Sequence, residues 1–170
     1  ASSILARELQ IPFNKIQENS LKCKAPARRF ETIMNNREVR IIDDYAHHPT
    51  AIKAIRENIN KNFFKDEVIL VFQPHRFSRT KILMKDFVEE LSSWKNLYLV
   101  DIYSAFEENN IDTNKLFNKI KKKNPRVKFF ANNNQLINKI VSKLKYKKYT
   151  IITMGAGDIR DVGIKLKKKI

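Results

Sequence analysis

The 170-residue sequence predicts an α/β protein with a doubly wound, mostly parallel sheet and a β-hairpin near its N-terminus. Continuous apolar runs such as Glu67–Phe72 are typical of strands that are buried on both faces. Between these runs lie segments such as residues 50–63, whose apolar side chains recur at helical spacing. The connections are short, so strands and helices should alternate as βαβ units.

The first 24 residues predict two short helices that precede the main domain. Residues 1–9 resemble the middle of a helix, Pro12 interrupts the pattern, and a second helix is expected over residues 14–21. Residues 24–26 predict a linker and hinge, because a proline restricts the residue before it. We therefore expect residues 1–24 to be the tail of a preceding domain and residues 25–170 to form the domain itself.

The elements of the main domain follow in order. Residues 28–34 and 38–42 predict the hairpin, with Asn35 and Asn36 in its turn. Ser78 is the expected N-cap of one helix whose buried stripe is Leu83, Phe87, Leu91 and Trp94. The remaining predictions are strand 96–102, helix 114–122, strand 126–130, a helix carrying Leu136, Ile140 and Leu144, strand 149–153 and a helix after Gly157.

A net charge of +16 raises the question of nucleic-acid binding, but the distribution of the charges argues against it as the main function. Lysines outnumber arginines 24 to 10 and are spread over helix faces and the C-terminal run. Basic residues interleaved with aromatic residues, as in RNA-binding motifs, are lacking. A solvated, lysine-rich surface is the better interpretation.

The single cysteine, Cys23, excludes an internal disulfide framework and is typical of a reducing compartment. No stretch approaches the roughly 20 apolar residues that span a bilayer, and no signal-peptide pattern is present. We expect a cytoplasmic protein with no membrane partner.

The sequence Phe-Gln-Pro-His-Arg-Phe-Ser-Arg-Thr at residues 72–80 predicts an anion site. It joins the end of a strand to the start of a helix, and it carries His75, Arg76 and Arg79. Guanidinium groups bind carboxylates or phosphates through paired hydrogen bonds, and a helix N-terminus also favours anions. The alternative is that both arginines pair with surface carboxylates while His75 only packs.

The sequence Asp-Asp-Tyr-Ala-His-His-Pro-Thr at residues 43–50 is the second candidate. Both sequences are expected at the carboxyl ends of neighbouring strands, the edge at which open α/β sheets bind ligands. Such a cluster can bind a metal, but adjacent histidines on an extended backbone point to opposite sides, so we expect no shared metal. Asp44 is expected to accept a hydrogen bond from a ligand hydroxyl or to orient a histidine. The structural alternative is that Asp44 or Thr50 caps the next helix.

Two further strand ends are weaker candidates. Gly155-Ala156-Gly157-Asp158 resembles a phosphate-binding turn, but with two glycines, in a strand expected to lie last in the sheet, a close-packing turn is an equal alternative. Residues 101–108 end the middle strand with the acids Asp101, Glu107 and Glu108, which are expected to face the same crevice, although acids are common in loops and the signal is weak.

At residues 43–50 and 72–80 the sequence resembles the C-terminal, Rossmann-like domain of the Mur ligases, in the branch that adds L-alanine. Arg28-Arg29-Phe30-Glu31, Asp101-x-Tyr103 and the Gly155–Asp158 segment match in order and spacing, so the resemblance covers residues 15–168. The chain departs from the family at Ala51, Ser104 and Phe106, where Glu, Pro and Gly are usual. These departures bear on loop conformation more than on the reaction.

The resemblance implies a ligase that joins L-alanine to the lactyl carboxylate of UDP-N-acetylmuramate through an acyl phosphate, with ATP cleaved to ADP and phosphate. It implies that ATP and Mg²⁺ are bound mainly by a central domain carrying the P-loop, whose tail would be residues 1–24. No P-loop motif occurs in these 170 residues, so we expect the fragment alone to be inactive.

The resemblance also implies roles for individual residues. Tyr45, His47, His75, Arg76 and Arg79 would bind L-alanine. Asp44 and His48 would lie on the ATP side. Three alternatives remain open: the related muropeptide-recycling ligase, a stand-alone basic module that binds nucleic acid or other anions, and a purely structural domain.

Overall fold

A six-stranded sheet with the order β1-β2-β6-β3-β4-β5 organises the protein. The computed structural model describes residues 2–22, 26–63, 65–108 and 112–170. The strands are β1 (Glu31–Asn35), β2 (Val39–Asp44), β3 (Glu67–Phe72), β4 (Leu97–Val100), β5 (Lys128–Phe130) and β6 (Tyr149–Met154). β1 and β2 form the predicted antiparallel hairpin, and the other strand pairs are parallel. The predicted fold class is therefore confirmed.

Helices cover both faces of the sheet. They are α1 (Ser2–Glu8), α2 (Phe13–Lys22), α3 (Pro49–Asn62), α4 (Phe77–Ile82), α5 (Met84–Ser92), α6 (Thr113–Lys123), α7 (Asn133–Lys143) and α8 (Arg160–Lys169). Side chains of α3, α5 and α6 pack with Leu70 and Phe72, whereas those of α7 and α8 pack with Ile69 and Val71. Because successive strand residues face opposite sides, β3 supplies both cores. This explains its uninterrupted apolar sequence.

The position of β6 corrects the expected order of the strands. This strand, the last in the chain, does not lie last in the sheet but pairs with both β2 and β3. The two sequences that carry the histidines therefore follow strands separated by β6, rather than neighbouring strands. The glycines after β6 are consequently at the centre of the carboxyl edge.

The predicted single helix after β3 is also wrong. The structure has two helices, α4 and α5, which meet at Leu83, and Ser78 does not cap α4. The N-cap is Arg76, whose φ is 70°. Three members of the predicted apolar stripe, Phe87, Leu91 and Trp94, are buried, and the fourth, Leu83, is half-buried against the same core.

Helices α1 and α2 form as predicted, but most apolar side chains in them and between them stay exposed. These are Ile4, Leu5, Leu9, Ile11, Phe13 and Leu21. The expected linker and the boundary between residues 24 and 25 lie outside the described residues. None of the helices among the described residues combines the length and the hydrophobicity that a membrane span requires.

Candidate functional site

Four aromatic rings from three strand ends meet at the carboxyl edge of the sheet. The Tyr45 and His47 rings lie 5.3 Å apart edge to face, and the His47 and His75 rings lie 5.5 Å apart. The His75 ring in turn stacks on Tyr103 at 5.6 Å. The two histidine-containing sequences thus form one surface, although it crosses the end of β6 rather than joining neighbouring strands.

The glycines after β6 permit this approach. A Cβ atom on Gly155 would lie 2.7 Å from the carbonyl oxygen of Gln73, and φ at Gly155 is 152°. A Cβ atom on Gly157 would lie 2.6 Å from the Tyr103 ring and would also collide with Oε1 of Gln73. Their geometry favours the close-packing interpretation of this turn.

The two central histidines have opposite tautomers. His47 Nδ1 lies 2.8 Å from the carbonyl oxygen of Tyr45, which can only accept, so this nitrogen carries the proton and Nε2 keeps its lone pair. His75 Nδ1 lies 3.2 Å from Nη1 of Arg79, which can only donate, so this nitrogen is the acceptor.

The pKa values of both imidazoles are lowered, chiefly by burial and further by the positive charge of Arg79. The mutual proximity of the two rings adds to this effect for His75. A lowered pKa keeps both rings neutral at neutral pH, where His47 can accept a proton.

Arg76 and Arg79 occupy the start of α4, as expected for an anion site. Arg76 is exposed, whereas Arg79 is half-buried. Two guanidinium groups beside neutral imidazoles leave this surface positively charged, which suits a small carboxylate.

Asp44 and His48 both accept hydrogen bonds from backbone N–H groups. Asp44 is buried and accepts 2.7 Å hydrogen bonds from the backbone N–H groups of Phe30 and Ala46, so it shapes the backbone rather than orienting a histidine. His48, rather than Asp44 or Thr50, caps α3, and its Nδ1 accepts from the backbone N–H of Thr50 at 3.4 Å. Ser78, the other expected cap, bonds instead to Glu107.

Sequence reasoning missed an ion-pair network that lies beneath the site. Asp43 is fully buried and accepts from Arg28 Nε at 3.0 Å, Arg160 Nη1 at 3.1 Å and Thr153 Oγ1 at 2.8 Å. Arg28 also donates to the carbonyl oxygen of Gly155 at 2.7 Å, which ties the network to the glycine turn. The acidic pair in the sequence pointed to Asp43, but no local signal pointed to Arg160.

Glu31 joins the same network and predicts acid sensitivity. Its hydrogen bonds with the Arg160 side chain and the Arg28 backbone lower its pKa from 4.5 to about 2. A lowered folded-state pKa stabilises the fold above pH 4.5, and this contribution disappears as the pH falls towards 2. We expect Glu31→Gln to flatten the decline in unfolding free energy between pH 5 and pH 2, measured by urea titration. An unchanged slope would contradict this assignment.

Among the described residues, no group of three or more His, Cys, Asp or Glu side chains is arranged to hold a metal ion. The carboxyl edge offers hydrogen bonding and charge through two guanidinium groups, two neutral imidazoles and the Tyr45 hydroxyl.

Comparison with known proteins places these features in a family. Residues 28–157 match the sequence model of the family described as Mur ligase, glutamate ligase domain. The chain belongs to this Mur ligase family. Both histidine-containing sequences lie within the matched region, as does the glycine turn up to Gly157.

Two curated relatives of this Mur ligase chain are UDP-N-acetylmuramate–L-alanine ligases. The protein from Prochlorococcus marinus is 37% identical over 99% of the chain and 38% of its own length. That from Flavobacterium psychrophilum is 36% identical over 98% of the chain and 36% of its own length. The chain thus spans less than two fifths of these relatives. The structure of UDP-N-acetylmuramate-alanine ligase from Thermotoga maritima shares the fold, with a TM-score of 0.73 at 19% identity, over 98% of this chain and 35% of that one.

Proposed function

We propose that this chain is the C-terminal, amino-acid-binding domain of an ATP-dependent ligase that joins L-alanine to UDP-N-acetylmuramate in peptidoglycan biosynthesis. The observation that carries the proposal is the cluster of Arg76 and Arg79 with neutral His47 and His75 at one edge of the sheet. The names of the relatives that match 98–99% of the chain support the choice of substrates.

In this proposal the guanidinium groups of Arg76 and Arg79 hold the carboxylate of L-alanine. Tyr45, His47 and His75 line the rest of the pocket, and the free Nε2 of His47 accepts a hydrogen bond from the alanine ammonium group. The ammonium group must lose a proton before its nitrogen can attack an acyl phosphate, so a neutral imidazole that can take this proton on Nε2 favours the reaction.

The site is open, which suits a pocket that a second domain completes. Tyr45 is 45% exposed and Tyr103 is 36% exposed. A cavity of about 570 Å³ lies elsewhere, at the opposite edge of the sheet beside Arg37 and Tyr146. Closure of another domain over the carboxyl edge would exclude water from a reactive acyl phosphate.

We propose that ATP and Mg²⁺ bind mainly outside this chain, in a central domain of the longer protein. The 170 residues lack a P-loop sequence. On the ATP side, Asp44 retains acceptor capacity beyond its two backbone hydrogen bonds, and His48, four residues later, is exposed. Residues 1–24 would then be the tail of that central domain, whose contact would cover the exposed apolar side chains of α1 and α2. Dependence on ATP favours a cytoplasmic location.

The test is ADP release by the longer protein and by the 170-residue chain. We expect the longer protein to release ADP only with UDP-N-acetylmuramate and L-alanine together, and the 170-residue chain to release none. ADP release by the chain alone would contradict the proposed division of labour.

Replacing L-alanine by a tripeptide tests the alternative of a muropeptide-recycling ligase, which the order His-His-Pro-Thr-Ala at residues 47–51 also resembles. Binding of generic DNA or RNA at physiological salt would support the basic-module alternative instead. If the longer protein turned over neither L-alanine nor the tripeptide, the alternative of a purely structural role would remain.

A further inference from the structure

Glu107 connects the loop after β4 to the first turn of α4. Its carboxylate accepts from the backbone N–H of Ser78 at 2.9 Å and from the Ser78 hydroxyl at 2.6 Å. Both bonds lower the pKa of Glu107, so the group is charged at neutral pH. The two residues are 29 positions apart in the sequence. The contact therefore joins two separate loops.

The carboxylate of Glu107 supplies the capping acceptor that α4 lacks. An N-cap residue normally accepts a hydrogen bond from the second or third N–H of its helix, as Asp112 and Asn132 do for α6 and α7. The N-cap of α4 is Arg76, whose side chain has no acceptor and makes no capping bond. Glu107 takes over this role from another loop and places a negative charge at the helix N-terminus.

The turn that presents Glu107 is strained. Ala105 and Phe106 have φ values of 50° and 68°, a conformation that residues with a side chain adopt at a cost, and the N–H of Glu107 bonds to the carbonyl oxygen of Ser104 at 3.1 Å. Phe106 is fully exposed, so its packing does not hold the turn. The strained turn must therefore be held in place by the contacts of the residues on either side of it.

The residues on either side of the turn make contact with residues of the candidate site. The N–H of Arg76 donates to the carbonyl oxygen of Tyr103, and the N–H of Tyr103 donates to that of Pro74, each at 2.9 Å. The ring of Tyr103, which precedes the turn, stacks on His75, and Glu107, which follows the turn, bonds to Ser78. The turn is therefore attached to the chain both before and after Arg76. A shift of the turn would therefore shift Arg76 and the helix that carries Arg79.

We propose that Glu107 is a positioning residue that holds the start of α4 so that Arg76 and Arg79 are aligned for the amino-acid carboxylate. This inference rests on the proposed function. Glu107 acts through Ser78 and does not itself contact the substrate.

The test is steady-state kinetics of the longer protein carrying Glu107→Gln, which keeps the size of the side chain but removes the charge. We expect the KM for L-alanine to rise about tenfold, as for the loss of one charge-assisted hydrogen bond, with kcat and the KM values for ATP and UDP-N-acetylmuramate within about twofold. Glu108→Gln removes the same charge from an exposed neighbour and should leave all of these constants unchanged.

Ser78→Ala alone keeps the inference testable if Glu107→Gln folds poorly, and a double-mutant cycle tests the contact when both variants fold. Ser78→Ala should raise the KM for L-alanine by a smaller factor. The KM of the double variant should not exceed that of Glu107→Gln alone, because both substitutions weaken the same contact. Additive effects, an unchanged KM for L-alanine, or a parallel loss of kcat and of all three KM values would overturn the inference. If the unsubstituted protein uses another amino acid, the proposed substrate is wrong, and the KM for that amino acid becomes the readout for Glu107.

Discussion

Replacing Arg79 by alanine in the longer protein is expected to raise the KM for L-alanine about 100-fold while changing kcat by less than about threefold. A guanidinium and a carboxylate form charge-assisted hydrogen bonds worth about 1.5 to 3 kcal/mol each, and 1.4 kcal/mol corresponds to about a factor of ten. The loss should appear in KM because the carboxylate of alanine takes no part in bond formation.

Three controls separate binding from folding in this experiment. Arg79→Lys keeps the charge but loses the planar pair of donors, so its KM should be intermediate. Arg37→Ala removes an exposed arginine at the opposite edge of the sheet and should have no effect. The free energy of unfolding should change by less than about 1 kcal/mol in Arg79→Ala, since the side chain is only half-buried. An unchanged KM would remove Arg79 from the site.

Replacing Asp43 by alanine is expected to lower the free energy of unfolding by about 3 to 5 kcal/mol. Asp43 is fully buried, and its removal leaves the guanidinium groups of Arg28 and Arg160 without their shared partner. For a domain of this size, the loss corresponds to a decrease in Tm of roughly 10 °C. Denaturant and thermal unfolding of the 170-residue chain would measure it.

Asp101→Ala is the matched control, because Asp101 is exposed at the end of β4. It should change the free energy of unfolding by no more than about 0.5 kcal/mol. Asp43→Asn keeps the shape of the side chain and a polar partner for Thr153. Its free energy of unfolding should therefore lie between those of Asp43→Ala and Asp101→Ala. If Asp43→Ala proved as stable as Asp101→Ala, the network would not stabilise the fold.

Local patterns predicted the elements of the fold well. The bounds of β3 agree with the prediction at both ends, and α3 begins at Pro49, one residue before the predicted start. The prediction failed after β3, where Leu83 divides one expected helix into two. The apolar spacing persists across that junction, so the hydrophobic pattern does not report the break.

The candidate site was only partly predictable for a related reason. Arg76 and Arg79 were found because their residue types and their place after a strand suggest anion binding. The tautomers of His47 and His75 depend on which partner each Nδ1 meets, and those contacts arise after the chain has folded. The hydrogen bonds that Asp44 accepts from backbone N–H groups likewise arise only when the chain has folded.

By itself, the sequence determined the alternation of strands and helices, the hairpin and the gathering of both histidine-containing sequences at one edge of the sheet. These features depend on the spacing of apolar residues and on the direction of parallel strands. Only the tertiary structure decided that β6 lies between β2 and β3, that Asp43 meets Arg160 and that Glu107 caps α4. Each of these contacts joins segments far apart in the chain, and such pairings form when the sheet assembles and its helices pack.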